Sequence, residues 1–134
     1  MNSTKIASTL FVALGIASSP AAMSQGSSDM IDIKTASELR ELFSNKTFKG
    51  SAFTAHYRSD GKGQIVRQNG KPEQATWKIK GEDQVCIESI SPSHTSNNCF
   101  RYQRHKQNRA WVTQINAASN ASYMFTLEDG IPKF

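Results

Sequence analysis

Three patterns of apolar and polar positions follow one another along the chain: an unbroken apolar run, a short helical stripe and a long period-two alternation. The run is Ile6 to Ala17, 12 residues with Lys5 before it and Ser18, Ser19, Pro20 and small residues after it. A charge, an apolar stretch and a small-residue end, in that order, make a secretory signal peptide. The stretch falls short of the roughly 20 apolar residues that span a bilayer. Ala22-Met23-Ser24 puts small residues where a signal peptidase reads, so residues 1–24 are read as signal, cut before Gln25. A cut after Ala21 or Ala22 is the alternative. A buried N-terminal helix and an uncleaved anchor are the competing readings of the run.

Residues 25–34 are polar and Ser/Gly-rich and read as a flexible leader. The helical stripe follows. Thr35-Ala36-Ser37-Glu38 fits a capping box, and Leu39, Leu42 and Phe43 fall at i, i+3, i+4. This predicts a short helix over Ala36–Phe43, ended near Ser44-Asn45. So short a helix is marginal alone and must dock.

From Gly50 onward the period is two. Phe53, Ala55 and Tyr57 share one face, and Ala75, Trp77 and Ile79 oppose Thr76, Lys78 and Lys80. Tyr123, Phe125 and Leu127 again share a face. Turn signals at Asp60-Gly61, Asn69-Gly70 and Gly81-Glu82-Asp83 separate the runs. Ser91 to Asn98 reads as a polar loop. The prediction is a mainly β domain over residues 35–134: an antiparallel up-and-down meander of about seven strands. It closes as a lipocalin-like or partly open barrel, with the one short N-terminal helix covering an opening or edge. A two-sheet sandwich is the alternative.

Cysteine and charge refine this picture. Cys86 and Cys99 are the only two cysteines. Neither follows the apolar run as a lipoprotein cysteine would. In an oxidising compartment they are expected to form one disulfide. Val85 and Ile87 face one way, so Cys86 faces the other. Cys99 likewise opposes Phe100 and Tyr102, which places the bridge on the outer face or at a loop end. A reactive or metal-binding pair would want the CxxC spacing that is missing. The net charge is +5. Between Glu88 and Glu128 there is no acidic residue, while Arg101, Arg104, Lys106 and Arg109 fall there.

The order of these motifs resembles a family of small exported bacterial proteins catalogued as domain of unknown function 995. The resemblance runs from about Thr35 to Arg104. It rests on Leu39, Leu42, Phe43, Lys46 and Thr47, then Tyr57, Asp60, Gly61 and Gly63, then Trp77, Cys86 and Cys99-Phe100. The glycine usual near the tryptophan is replaced by Ala75-Thr76. The resemblance implies the same fold and the Cys86–Cys99 pair, and it supplies no catalytic residues.

Candidate chemistry is sparse. No Gly-x-Ser-x-Gly elbow occurs, and His56, His94 and His105 have no metal-site spacing. Asp60, Glu82, Asp83 and Asp129 sit beside glycine in turns, as turn chemistry prefers. No catalytic residue, metal or cofactor is expected. Tyr57, Trp77, Phe100, Tyr102, Trp111, Tyr123 and Phe125 either line a cavity or fill a packed core. The leading expectation is a non-catalytic periplasmic or secreted binding module. Its Arg101, Arg104, Lys106 and Arg109 would meet an anionic envelope lipid, a polysaccharide or an acidic protein. Nucleic acid is not an expected partner, and no transmembrane segment is expected in the mature chain. The alternative is a lipocalin-like carrier of a small hydrophobic ligand in the barrel.

Overall fold

Thr35 starts the first long element by capping it. Its backbone is extended, and its Oγ1 accepts the Glu38 N–H at 3.2 Å. The chain so enters helix α1 (Ala36–Phe43), with the bounds that the capping signal predicts. Leu39, Leu42 and Phe43 are completely buried. Asn45, at a left-handed φ of 58°, turns the chain straight into the next strand.

The structure is a computed structural model that describes residues 29–68, 70–91 and 94–134. The expected signal peptide and residues 25–28 of the leader lie outside the described residues. Strand β1 (Met30–Asp32) precedes the helix. After it come β2 (Lys46–Lys49), β3 (Phe53–Tyr57), β4 (Lys62–Arg67) and β5 (Glu73–Lys80). Then follow β6 (Gln84–Ser91), β7 (His94–His105), β8 (Trp111–Asn116) and β9 (Ser122–Asp129).

Strands β2 to β9 pair with their sequence neighbours, all antiparallel, and β9 pairs back onto β2. The result is a closed eight-stranded barrel in up-and-down order, which leaves no free edge in the ring. β1 is an added strand. β7 is long enough for β6 to pair with its first half and β1 with Gln103–His105 on the same edge. Part of the expected flexible leader is therefore ordered sheet. β2 is also a strand, although the sequence pattern led to no strand before Gly50, and β7 begins at His94, within the expected polar loop.

The core sits at the helix end of the barrel. Phe43 is the hub: its ring centroid lies 4.6 Å from Tyr57, 5.0 Å from Phe48, 5.2 Å from Trp77 and 5.3 Å from Tyr102. The Trp77 indole N–H donates to the Arg58 carbonyl at 2.8 Å, so this aromatic layer buries a satisfied polar group. Gly63 is required beside it. A Cβ there would stand 2.9 Å from both the His56 carbonyl and the Tyr57 ring. The Tyr57 ring lies against the glycine. The helix thus plugs one end of the barrel.

Cys86 and Cys99 are bonded and stand opposite one another on β6 and β7. Val85 and Ile87 point into the core, so the bridge lies on the outer face, beside Thr76, Lys78 and Asn97. Among the described residues no helix is long and apolar enough to cross a membrane.

Candidate functional site

The end of the barrel away from the helix is not filled. Above the aromatic layer is an open cup of about 340 Å³, at the small end of the roughly 300–1,000 Å³ typical of ligand sites. The alternation that builds the core also builds the cup, because inward positions continue toward the mouth with different residue types. On β6, Val85 and Ile87 are followed by Ser89. On β7, Tyr102 and Phe100 are preceded by Asn98 and Ser96. On β8, Val112 is followed by Gln114 and Asn116.

The wall therefore carries two chemistries. Phe53, Ile65, Ile87 and Phe100 supply apolar surface. Ser89, Ser96, Asn98, Gln114 and Asn116 supply hydroxyls and amides. Ser89 and Ser96 are opposite one another across β6 and β7, with their hydroxyls 2.7 Å apart. At the mouth, Arg67 lies over the Phe53 ring at 5.5 Å and pairs with Glu73 at 3.0 Å. Its charge is already neutralised at the rim. Among the described residues, the lining holds no carboxylate, imidazole or thiol.

Of two buried tyrosines, Tyr57 lines the cup and Tyr102 holds the lining residue Gln114. The Tyr102 hydroxyl donates to Gln114 Oε1 at 2.8 Å, a buried bond between facing positions of β7 and β8. Burial raises the pKa of Tyr57, and burial together with the nearby Tyr57 hydroxyl raises that of Tyr102. Both stay neutral at physiological pH.

The other aromatics divide by position. Trp77 and Phe125 belong to the packed core, and Tyr57 and Phe100 belong to both core and cup. Tyr123 lines the mouth and is half exposed. Trp111 corrects the expectation of an interior residue. It is 44 % exposed on the outer face, edge-on to His105 at 5.3 Å. Its neighbour Val112 takes the inward position of that strand.

The basic segment does not gather into one site. Arg104 is nearly covered; its guanidinium donates to Glu41 at 3.0 Å and to the Arg109 carbonyl at 2.7 Å. Burial pushes the Glu41 carboxyl up, but the Arg104 and Lys46 cations outweigh it and hold the pKa below its ordinary value. Lys106 lies 3.6 Å from Asp29. Arg101 reaches Asn120 at 3.4 Å and borders a shallow groove that also holds Asp32, Glu82 and Asp83. Arg109 is exposed in the β7–β8 turn. Acids absent from the segment's own sequence are brought to it by the chain around β1 and by α1.

His56 and His105 have structural partners. His56 Nδ1 is 2.9 Å from Thr47 Oγ1, and that hydroxyl donates to the Gly130 carbonyl at 2.8 Å. A hydroxyl has one proton to give, so His56 Nδ1 must carry the donor. Burial lowers the pKa of this histidine. His105 Nδ1 accepts the backbone N–H groups of Gln107 and Asn108 and so ties the turn after β7. Among the described residues no group of His, Cys, Asp or Glu could hold a metal ion.

The polar half of the cup was not singled out by sequence reasoning, although its signal is present. Ser89, Ser96, Asn98, Gln114 and Asn116 keep the phase of the core residues on their own strands. Polar residues in core phase mark a cavity or a buried network. Compared with known proteins, the chain finds no match: no family model, no curated protein and no solved structure matches it.

Proposed function

We propose that this chain is an exported, non-catalytic binding protein whose open half-barrel takes one small, uncharged ligand with hydrogen-bonding groups on an apolar frame. One observation carries this reading: the cup of about 340 Å³ above a fully packed aromatic layer. A core that merely needed filling would not place five amide or hydroxyl side chains in core phase at one end. The lining also supports a neutral ligand, since its one charged side chain is already paired with Glu73. A purely hydrocarbon ligand fits less well. It would cover the buried Gln114 NH2 without giving it an acceptor, at about 1–3 kcal/mol. The disulfide supports an oxidising compartment, in line with the N-terminal export pattern.

The anionic-partner reading is weaker on this geometry. Arg104 and Lys106 face Glu41 and Asp29, so two of the four cations have acidic neighbours of their own.

Filling the cup tests the proposal. Asn98 lines the cup opposite Ile87 and is exposed toward the mouth, so Asn98→Trp places a large ring in the cavity without disturbing the aromatic layer. Fluorescence titration with two neutral probes, 6-propionyl-2-(dimethylamino)naphthalene and 2-(dimethylamino)naphthalene, should show binding to the wild type. Affinity should fall at least about tenfold in the variant, equal to 1.4 kcal/mol, with thermal stability nearly unchanged. Equal binding by both proteins would reject the cup as the site.

A further inference from the structure

Resting on the cup reading, the floor of the cup specifies which end of the ligand goes in first. Tyr57 is 2 % exposed and Gln114 is 5 % exposed, and both line the cavity. The Tyr102 hydroxyl occupies Gln114 Oε1 at 2.8 Å. That bond fixes the carboxamide, with its oxygen toward Tyr102 and its NH2 directed elsewhere. Among the described residues, neither the Tyr57 hydroxyl nor the Gln114 NH2 donates to any protein acceptor, although buried polar groups are nearly always paired. Two buried donors without acceptors, at the bottom of a cavity with no carboxylate, match an oxygen that accepts twice.

We propose that Tyr57 Oη and Gln114 Nε2 form a two-donor floor for a carbonyl oxygen, so that the ligand is a neutral carbonyl compound bound carbonyl end down. Tyr102 is the positioning residue, because it holds the amide in the orientation that presents its N–H groups upward. The apolar frame of the ligand then lies against Ile65, Ile87 and Phe100, and its outer end meets Asn98 and Asn116. The burial that raises the pKa of both tyrosines keeps the Tyr57 proton in place as a donor. A carboxylate ligand is disfavoured, since the floor offers no cation to pair with it.

The two naphthalene probes differ by the propionyl group, which carries the only carbonyl. Tyr57→Phe should weaken binding of the propionyl probe about tenfold, the scale of one lost buried hydrogen bond. Its bound emission should move to shorter wavelength as the carbonyl loses a donor. Binding of the carbonyl-free probe should stay unchanged. Tyr57→Phe should keep its melting temperature, because the hydroxyl it removes has no protein acceptor. Tyr102→Phe should lower it by at least about 4 °C, because Gln114 Oε1 is left unpaired. Unchanged affinity and emission for the propionyl probe in Tyr57→Phe, with Asn98→Trp still blocking both probes, would overturn the carbonyl floor and leave the cup standing. A stability loss in Tyr57→Phe equal to that of Tyr102→Phe would assign the hydroxyl to the fold and overturn it as well. Failure of Asn98→Trp to block either probe would remove the cup reading, and this proposal with it.

Discussion

Replacing Phe43 with alanine is expected to destabilise the protein by about 3–5 kcal/mol, the range for removing a fully buried aromatic ring. At about 4–8 °C per kcal/mol for a domain of this size, the melting temperature should fall by at least about 12 °C. The size of the effect follows from position. Phe43 has no solvent exposure and touches four other aromatic rings, from β2, β3, β5 and β7. Those contacts join the helix to strands on opposite sides of the barrel. Alanine would leave a cavity that a closed ring of strands cannot collapse to fill. Ile90→Ala is the matched control, since Ile90 is 54 % exposed on the outer side. Its cost should stay within about 0.5 kcal/mol. Thermal unfolding of the two variants checks the claim, and similar losses in both would contradict Phe43 as the hub.

Opening the disulfide is the second large effect. Cys86 and Cys99 are 13 residues apart, and a loop of this length is worth about 3 kcal/mol by chain entropy. Small domains have only about 5–15 kcal/mol in total. The Cys86→Ser, Cys99→Ser double variant and the reduced wild type should therefore unfold at the same, clearly lower, denaturant concentration. The bridge also staples the hairpin that carries Ser89, Ser96 and Asn98 into the cup. Weaker probe binding should accompany the loss of stability. Equal unfolding of oxidised and reduced protein would contradict the role given to the bridge.

The parts of the fold written in local residues were legible from the sequence. Thr35, Glu38 and the stripe Leu39, Leu42, Phe43 carry a cap and one helical face, and the helix has those bounds. The alternation around Ala55, Trp77 and Val85 gives the strands and their inward faces. What was missed depends on distant partners. Lys46–Lys49 holds one apolar residue, Phe48, and is a strand because β3 and β9 pair with its two edges. Met30–Asp32 is a strand because β7 outruns β6 and leaves an edge to pair. Thr95–Asn98 looks like a loop by composition, yet it is sheet whose Ser96 and Asn98 face the cup.

The same reason explains the site. Trp111 and Val112 are adjacent, and the sequence alone does not say which points inward. Pairing of Val112 with Phe125 decides it. The basic segment looked unopposed because Glu41 and Asp29 are far away in sequence. The residues behind the family resemblance have structural roles here: Gly63 gives way to Tyr57, and Asp60 accepts the Lys62 N–H in the turn.

The central claim is that the open half of the barrel holds a small neutral ligand, and native mass spectrometry of protein purified from its own cells tests it most directly. The wild type should carry a noncovalent addition of a few hundred daltons or less, the scale of a molecule that fits a cavity of about 340 Å³. The addition should be released by mild activation and absent from Asn98→Trp prepared in the same way. A wild-type spectrum showing the polypeptide mass alone would contradict the account.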